Sequence, residues 1–196
     1  MPIGSSAVQI GVLLARQLDE LGEWLIDATA FDAAGADALW VDPVVESELD
    51  PLSLLAGLAA VTSHSLLVAA LPAPDRPLMA LARTVATIAR LSRGRLALVA
   101  DPERLAELAV AAPGFEAFHR LQGEPGTFER ARPGGKAERW VQTPSPEGRA
   151  AWRAALADAA ERGARGLLVP AGPRLLDILR NPDDPGDRRD LQLASG

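Results

Sequence analysis

Only two histidines, His64 and His119, and no cysteine or tyrosine occur in the chain, so its chemistry falls to carboxylates, arginines and backbone groups. Disulfides, thiolate metal sites and a cysteine nucleophile are excluded, and two distant histidines leave no metal-ligand spacing. Three places remain whose residue types could do chemistry. Asp42 closes the apolar run Ala38 to Val41; a carboxylate at the C-terminal end of a barrel strand can act as a base or accept a hydrogen bond from a ligand. It can equally cap the turn before Pro43. Arg76 precedes Pro77 at the start of a long helical stretch, where free N–H groups and the helix dipole favour an anion. The alternative is pairing with a carboxylate such as Asp75, or exposure to water. Gly172 and Arg174 flank Pro173 at another helix start and offer the same chemistry to a phosphate, or serve only the turn. His64, between a helix and a strand, falls on the opposite, structural face. His119 lies in an irregular stretch.

The elements that must position these groups alternate. Gln9 to Leu14, Ala38 to Val41, Leu66 to Leu71, Arg95 to Ala100, Arg139 to Thr143 and Gly166 to Val169 read as short buried strands. Between them run stretches of helical period, such as Leu21, Leu25, Ala28 and Phe31, or Leu78, Leu81, Ala82, Val85 and Ala89. Asp50 before Pro51 and Asp101 before Pro102 read as capped helix starts. DAAGADALWVDP (32–43) and AAERGARGLLVPA (159–171) repeat one pattern of helix end, glycine turn and strand. Strand-helix alternation with short connections calls for a parallel α/β sheet, wound as a barrel or doubly. Regularity weakens across 113–135, rich in Gly, Pro and charge, with FEAFH as a conceivable seventh strand. Six or seven strands, against the roughly 250 residues typical of an eight-stranded barrel, predict a TIM-barrel-like fold that is shortened or incomplete. It occupies 1–180 as a single domain and is followed by a polar tail, 181–196.

At 48% hydrophobic and 23% charged residues, the chain can bury a core. Its formal net charge of -6 argues against nucleic acid and anionic membranes as partners. No run approaches the ~20 apolar residues of a membrane span, and the N-terminus lacks a secretory pattern. A soluble cytoplasmic protein with a small-molecule ligand is expected.

FDAAGADALWVD (31–42), DPLSLLAGLAAVTS (50–63) and RPLMALARTVATIARLSRGRLAL (76–98), in this order and spacing, resemble the first four βα units of the bacterial luciferase-like monooxygenase family. The resemblance implies an α/β barrel that uses reduced FMN or the deazaflavin F420 to oxidise a small organic molecule, often as a dimer. It places Asp42 beside the flavin ring and puts Ala69, Ala70 and Leu71 where the family forms a strained backbone bulge against that ring. It makes Arg76, Gly172 and Arg174 candidates for the phosphate. Two departures stand out. Ala100 to Glu103 reads Ala-Asp-Pro-Glu where the family is glycine-rich, and the later barrel units are compressed into 139–179. Two readings follow: a flavin- or F420-dependent oxidoreductase, or a catalytically degenerate, shortened paralogue acting as a dimer partner or binding subunit. An incomplete barrel would leave open strand edges, which predicts a homodimer or pairing with a larger relative.

Overall fold

The computed structural model describes residues 8–15, 20–41, 48–71, 76–132 and 135–184. The chain runs β1 (Gln9–Leu14), α1 (Leu21–Ala33), β2 (Ala38–Val41), α2 (Pro51–Val61), β3 (Leu66–Ala70), α3 (Leu78–Leu91), β4 (Leu96–Val99) and α4 (Pro102–Ala111). It continues through β5 (Glu116–Arg120), β6 (Thr127–Arg130), β7 (Glu138–Gln142), α5 (Arg149–Glu161), β8 (Gly166–Pro170) and α6 (Pro173–Arg180). The strands close into a barrel in sequence order, β8 pairing with β1.

The α/β barrel expectation holds, but the strand count of six or seven and the incomplete barrel are corrected: eight strands close fully. The stretch expected to be irregular contains β5 and β6. Both escape periodicity because β5, β6 and β7 form a meander in which only β6 is antiparallel to its neighbours, so no helix separates them. Their sequences, EAFHR, TFER and ERWVQ, are mostly polar and carry a single inward aromatic each. Short turns in place of two βα units are also why the barrel closes in so few residues. Closure leaves no open sheet edge, so the ground for expecting a dimer from exposed edges is gone.

Two apolar layers hold the barrel. Outward-facing strand residues such as Leu39, Leu67 and Ala69 pack against the helices. Inward, Trp40 fills the lumen with its ring 5.0 Å from Phe118, 4.9 Å from Phe128 and 6.1 Å from Trp140. Offset and edge-on contacts at these spacings suit the aromatic quadrupoles. Such bulk requires missing side chains opposite: Gly11 and Gly166 face Trp40 and Trp140.

The repeated glycine turn is visible at three helix ends. Gly35, Gly94 and Gly163 have φ of +87°, +81° and +70°, the left-handed conformation that ends a helix without cost to glycine. At the second of these, SRGRL, Arg95 turns back over the N-terminal face of the barrel and donates to the carbonyls of Thr62 and Ser65, both at 2.8 Å. Asp32 accepts from the N–H groups of Ser63, His64 and Ser65 on the same face. The SRGRL turn is therefore a clamp on the α2–β3 connection, and His64 sits on that structural face as expected.

On the same face Arg130, 5% exposed, donates to Glu116 and Glu138, while its guanidinium lies 5.6 Å and 5.9 Å from the Phe118 and Trp140 ring centres. Burial pushes the Glu138 carboxyl up, but hydrogen bonds from Arg130 and Arg132 outweigh it and hold it below the usual range. Arg130→Met leaves two carboxylates facing one another without their shared cation. Because both are partly hydrated, the expected loss is about 2–3 kcal/mol in urea unfolding rather than the full cost of a buried charge.

Candidate functional site

Beyond the C-terminal ends of β3, β4 and β5 lies a cleft of about 590 Å³ lined by Ala70, Leu71, Val99, Ala100, Asp101, Pro102, Arg104, His119, Arg120, Leu121 and Gln122. This is the face on which barrel enzymes build their sites, and the volume is that of a small-molecule pocket. Its wall is small and apolar, its rim polar. Among the rim groups, the His119 imidazole stands 3.2 Å from Glu129 across the β5–β6 pair. The Arg120 guanidinium lies 5.8 Å from the Phe128 ring centre, so it covers the plugged lumen from above. Asp101 precedes α4 without a side-chain capping bond, which corrects the capping expected there.

The residues expected to form a site are distributed unevenly. Ala70 and Leu71 line the cleft. Ala69 does not: it is fully buried and faces the helix layer. No bulge interrupts this strand end, since Ala69 pairs with Leu98 and Ala70 with Val99 in regular register. Arg76 is bound to Asp50, the capping residue of α2, whose carboxylate also accepts from the Ser53 N–H at 2.8 Å. Burial pushes the Asp50 carboxyl up, yet the bonds from Ser53 and Arg76 hold it below the usual carboxylate range. The carboxylate partner expected for Arg76 is real, but it comes from the preceding unit. Gly172 and Arg174 follow β8, diametrically across the barrel from β4, so they do not share the cleft. Asp42 and Asp75 lie outside the described residues.

Arg104, Arg120 and His119 were missed as a group. The alternation in EAFHR was the available signal: with Phe118 inward, Arg120 must also point to the lumen side and reach the mouth.

A closed α/β barrel with a polar-rimmed cleft at the C-terminal strand ends defines the class. Residues 7–100 match the model of the luciferase-like monooxygenase family, so the N-terminal half, through the end of β4, is luciferase-like in sequence. No curated protein matches the chain. Among solved structures, the FMN-bound oxygenating constituent of 3,6-diketocamphane monooxygenase from Pseudomonas putida is 17% identical, with a TM-score of 0.41 over 54% of this chain and 33% of that one. The coenzyme F420-dependent tetrahydromethanopterin reductase of Methanopyrus kandleri is 17% identical, with a TM-score of 0.40 over 53% and 30%. Tryptophan synthase from M. tuberculosis is 15% identical, with a TM-score of 0.47 over 90% and 91%. The chain thus spans about a third of the length of the flavin and F420 enzymes it matches. Among the described residues no helix is long and apolar enough to cross a membrane, and no group of His, Asp and Glu is placed to hold a metal ion.

Proposed function

We propose that the protein is a luciferase-like oxidoreductase that binds FMN or F420 in the cleft at the C-terminal mouth and acts on a small organic molecule. The observation that carries this is the cleft itself, built on the luciferase-like half by Ala70, Leu71, Val99 and Ala100 and rimmed by Arg104 and Arg120. The fit is chemical: small side chains admit a planar ring to the strand ends, and two guanidinium groups suit a phosphate. A bound flavin or deazaflavin supplies the redox chemistry. The chain's part is to bind and orient it and to keep water off the ring with Leu71 and Val99, with the His119 imidazole, beside Glu129, at the rim. Asp42 is proposed to orient the ring, while Ala69, Gly172 and Arg174 act through the surrounding scaffold. Family practice favours a homodimer, or a pairing with a larger relative.

A second reading, the noncatalytic binding subunit, is favoured by a specific observation: four aromatic rings plug the lumen, and the family match ends after β4, before α4 and the meander. Titration with FMN, reduced FMN and F420, followed by absorbance and fluorescence, separates the two. Saturable binding at micromolar concentrations, abolished by Ala70→Trp with the fold intact by circular dichroism, is expected. Binding of none of the three at tens of micromolar would remove the enzyme reading.

A further inference from the structure

The rim of the cleft holds a pair, His119 and Glu129, to which the redox chemistry gives no role. Both lie beyond residues 7–100, His119 on β5 and Glu129 on β6. They are direct partners in the antiparallel register, and because Phe118 points inward they face out, on the side of Ala117, which packs against the helix layer. In a regular βα unit a helix would follow β5 and lie over that side of the sheet. Here a short turn returns the chain as β6, which sets a carboxylate beside the imidazole while His119 still lines the cleft. Nε2 stands 3.2 Å from the Glu129 carboxylate, and the His119 side chain is 29% exposed. Glu129 has a second basic neighbour, Arg139, opposite it on β7, but that guanidinium is bound to Glu124. Nδ1 has no polar partner among the described residues.

We propose that Glu129 is a positioning residue that fixes the tautomer of His119, and that His119 selects cleft ligands carrying an O–H or N–H donor at the rim. A neutral imidazole has one N–H and one lone pair, and the hydrogen bond made by one nitrogen decides what the other offers. An ionised carboxylate only accepts, so Glu129 draws the proton to Nε2 and leaves Nδ1 as an acceptor. A ligand with a donor at that point gains a hydrogen bond, whereas one with an ether oxygen there brings two lone pairs together. The proposal rests on the reading of the cleft as a ligand site, but on neither FMN nor F420.

The test uses the full chain, labelled with 15N, and the ring signals of its two histidines. His64, on the opposite face with its side chain 77% exposed, is the internal control. At about pH 8.5, where an ordinary imidazole is neutral, two-bond 15N–1H spectra should show His119 with a pyrrole-type Nε2 and a pyridine-type Nδ1. Glu129→Leu should give a mixture of tautomers, and Glu129→Asp, which keeps a carboxylate, should retain Nε2–H as the main form. Phenol, an O–H donor, and anisole, the same ring with that oxygen methylated, are then titrated at millimolar concentration. Phenol is expected to bind about three- to tenfold more tightly, the range for one hydrogen bond, shifting His119 and not His64. That preference should vanish in Glu129→Leu and persist in Glu129→Asp. An Nδ1–H ring in the parent, no shift with either probe, equal binding of the two, or a preference that survives Glu129→Leu would overturn the proposal. Preference for phenol without binding of FMN or F420 would sink the cofactor reading and leave this one standing.

Discussion

Asp32→Ala is expected to destabilise the protein by about 3–4 kcal/mol, seen as an earlier urea midpoint with an unchanged slope. The carboxylate ends α1 yet works on the next unit: it accepts from the N–H groups of Ser63 at 2.8 Å, His64 at 3.1 Å and Ser65 at 2.7 Å, and from the Ser65 hydroxyl at 2.7 Å. Ser65 is 1% exposed, so removing the acceptor strands a donor where water cannot replace it. An unsatisfied buried donor costs about 1–3 kcal/mol, and bonds to a charged acceptor are the stronger kind. Burial by itself pushes the Asp32 carboxyl up, but these hydrogen bonds outweigh it and bring it from 3.8 to about 2. Because the folded value lies below the unfolded one, the carboxylate's contribution is complete above about pH 5 and is lost as pH falls toward 2. The difference corresponds to roughly 2 kcal/mol. Asp32→Asn should therefore be less stable than the parent at pH 6 and nearly equal to it at pH 2. A gap between the two that stays constant over that range would show that the hydrogen bonds do not select the ionised form.

The N-terminal half of this barrel was legible because each βα unit announces itself: an apolar run, a helix of regular period and a glycine turn. Asp50 before Pro51 even gave its cap correctly. Of the meander, β7 was read as a strand over Arg139 to Thr143 and β5 only as a conceivable one, while β6 was not legible, because these strands are short, mostly polar and joined without helices. At the mouth, sequence found Ala70 and Leu71, which follow from strand position. Chain order could not show that Arg76 reaches back to Asp50, nor that Arg104 and Arg120 meet at the mouth from different elements. Gly172 looked like a site because glycine before a helix suits phosphate as well as turns. Its distance from the cleft is a matter of barrel closure, which depends on all eight pairings.

Closure also makes the second large effect. Gly166→Val is expected to cost about 4 kcal/mol and Gly166→Ala about 2–3 kcal/mol, at the upper end of what overpacking a core costs. A Cβ at this position would stand 2.4 Å from Cδ2 and Cε3 of Trp140 and 2.7 Å from its Cε2, distances that real Cβ atoms do not show. The indole cannot yield. Phe118 lies edge-on to it at 5.9 Å, Trp40 stands at 6.1 Å and the Arg130 guanidinium is 5.9 Å from its centre. Gly11→Ala should cost less, about 1–2 kcal/mol, because its nearest contact, at 2.5 Å, is the end of the Leu168 side chain, which can change rotamer. If steric exclusion is the cause, Trp140→Leu should absorb much of the Gly166→Ala penalty. The double variant would then be more stable than the sum of the single losses by about 1–2 kcal/mol. Additive losses would mean that glycine is needed at 166 for the backbone and not for the ring, and the lumen would have to owe its shape to something other than the fit of Trp140 against a bare strand.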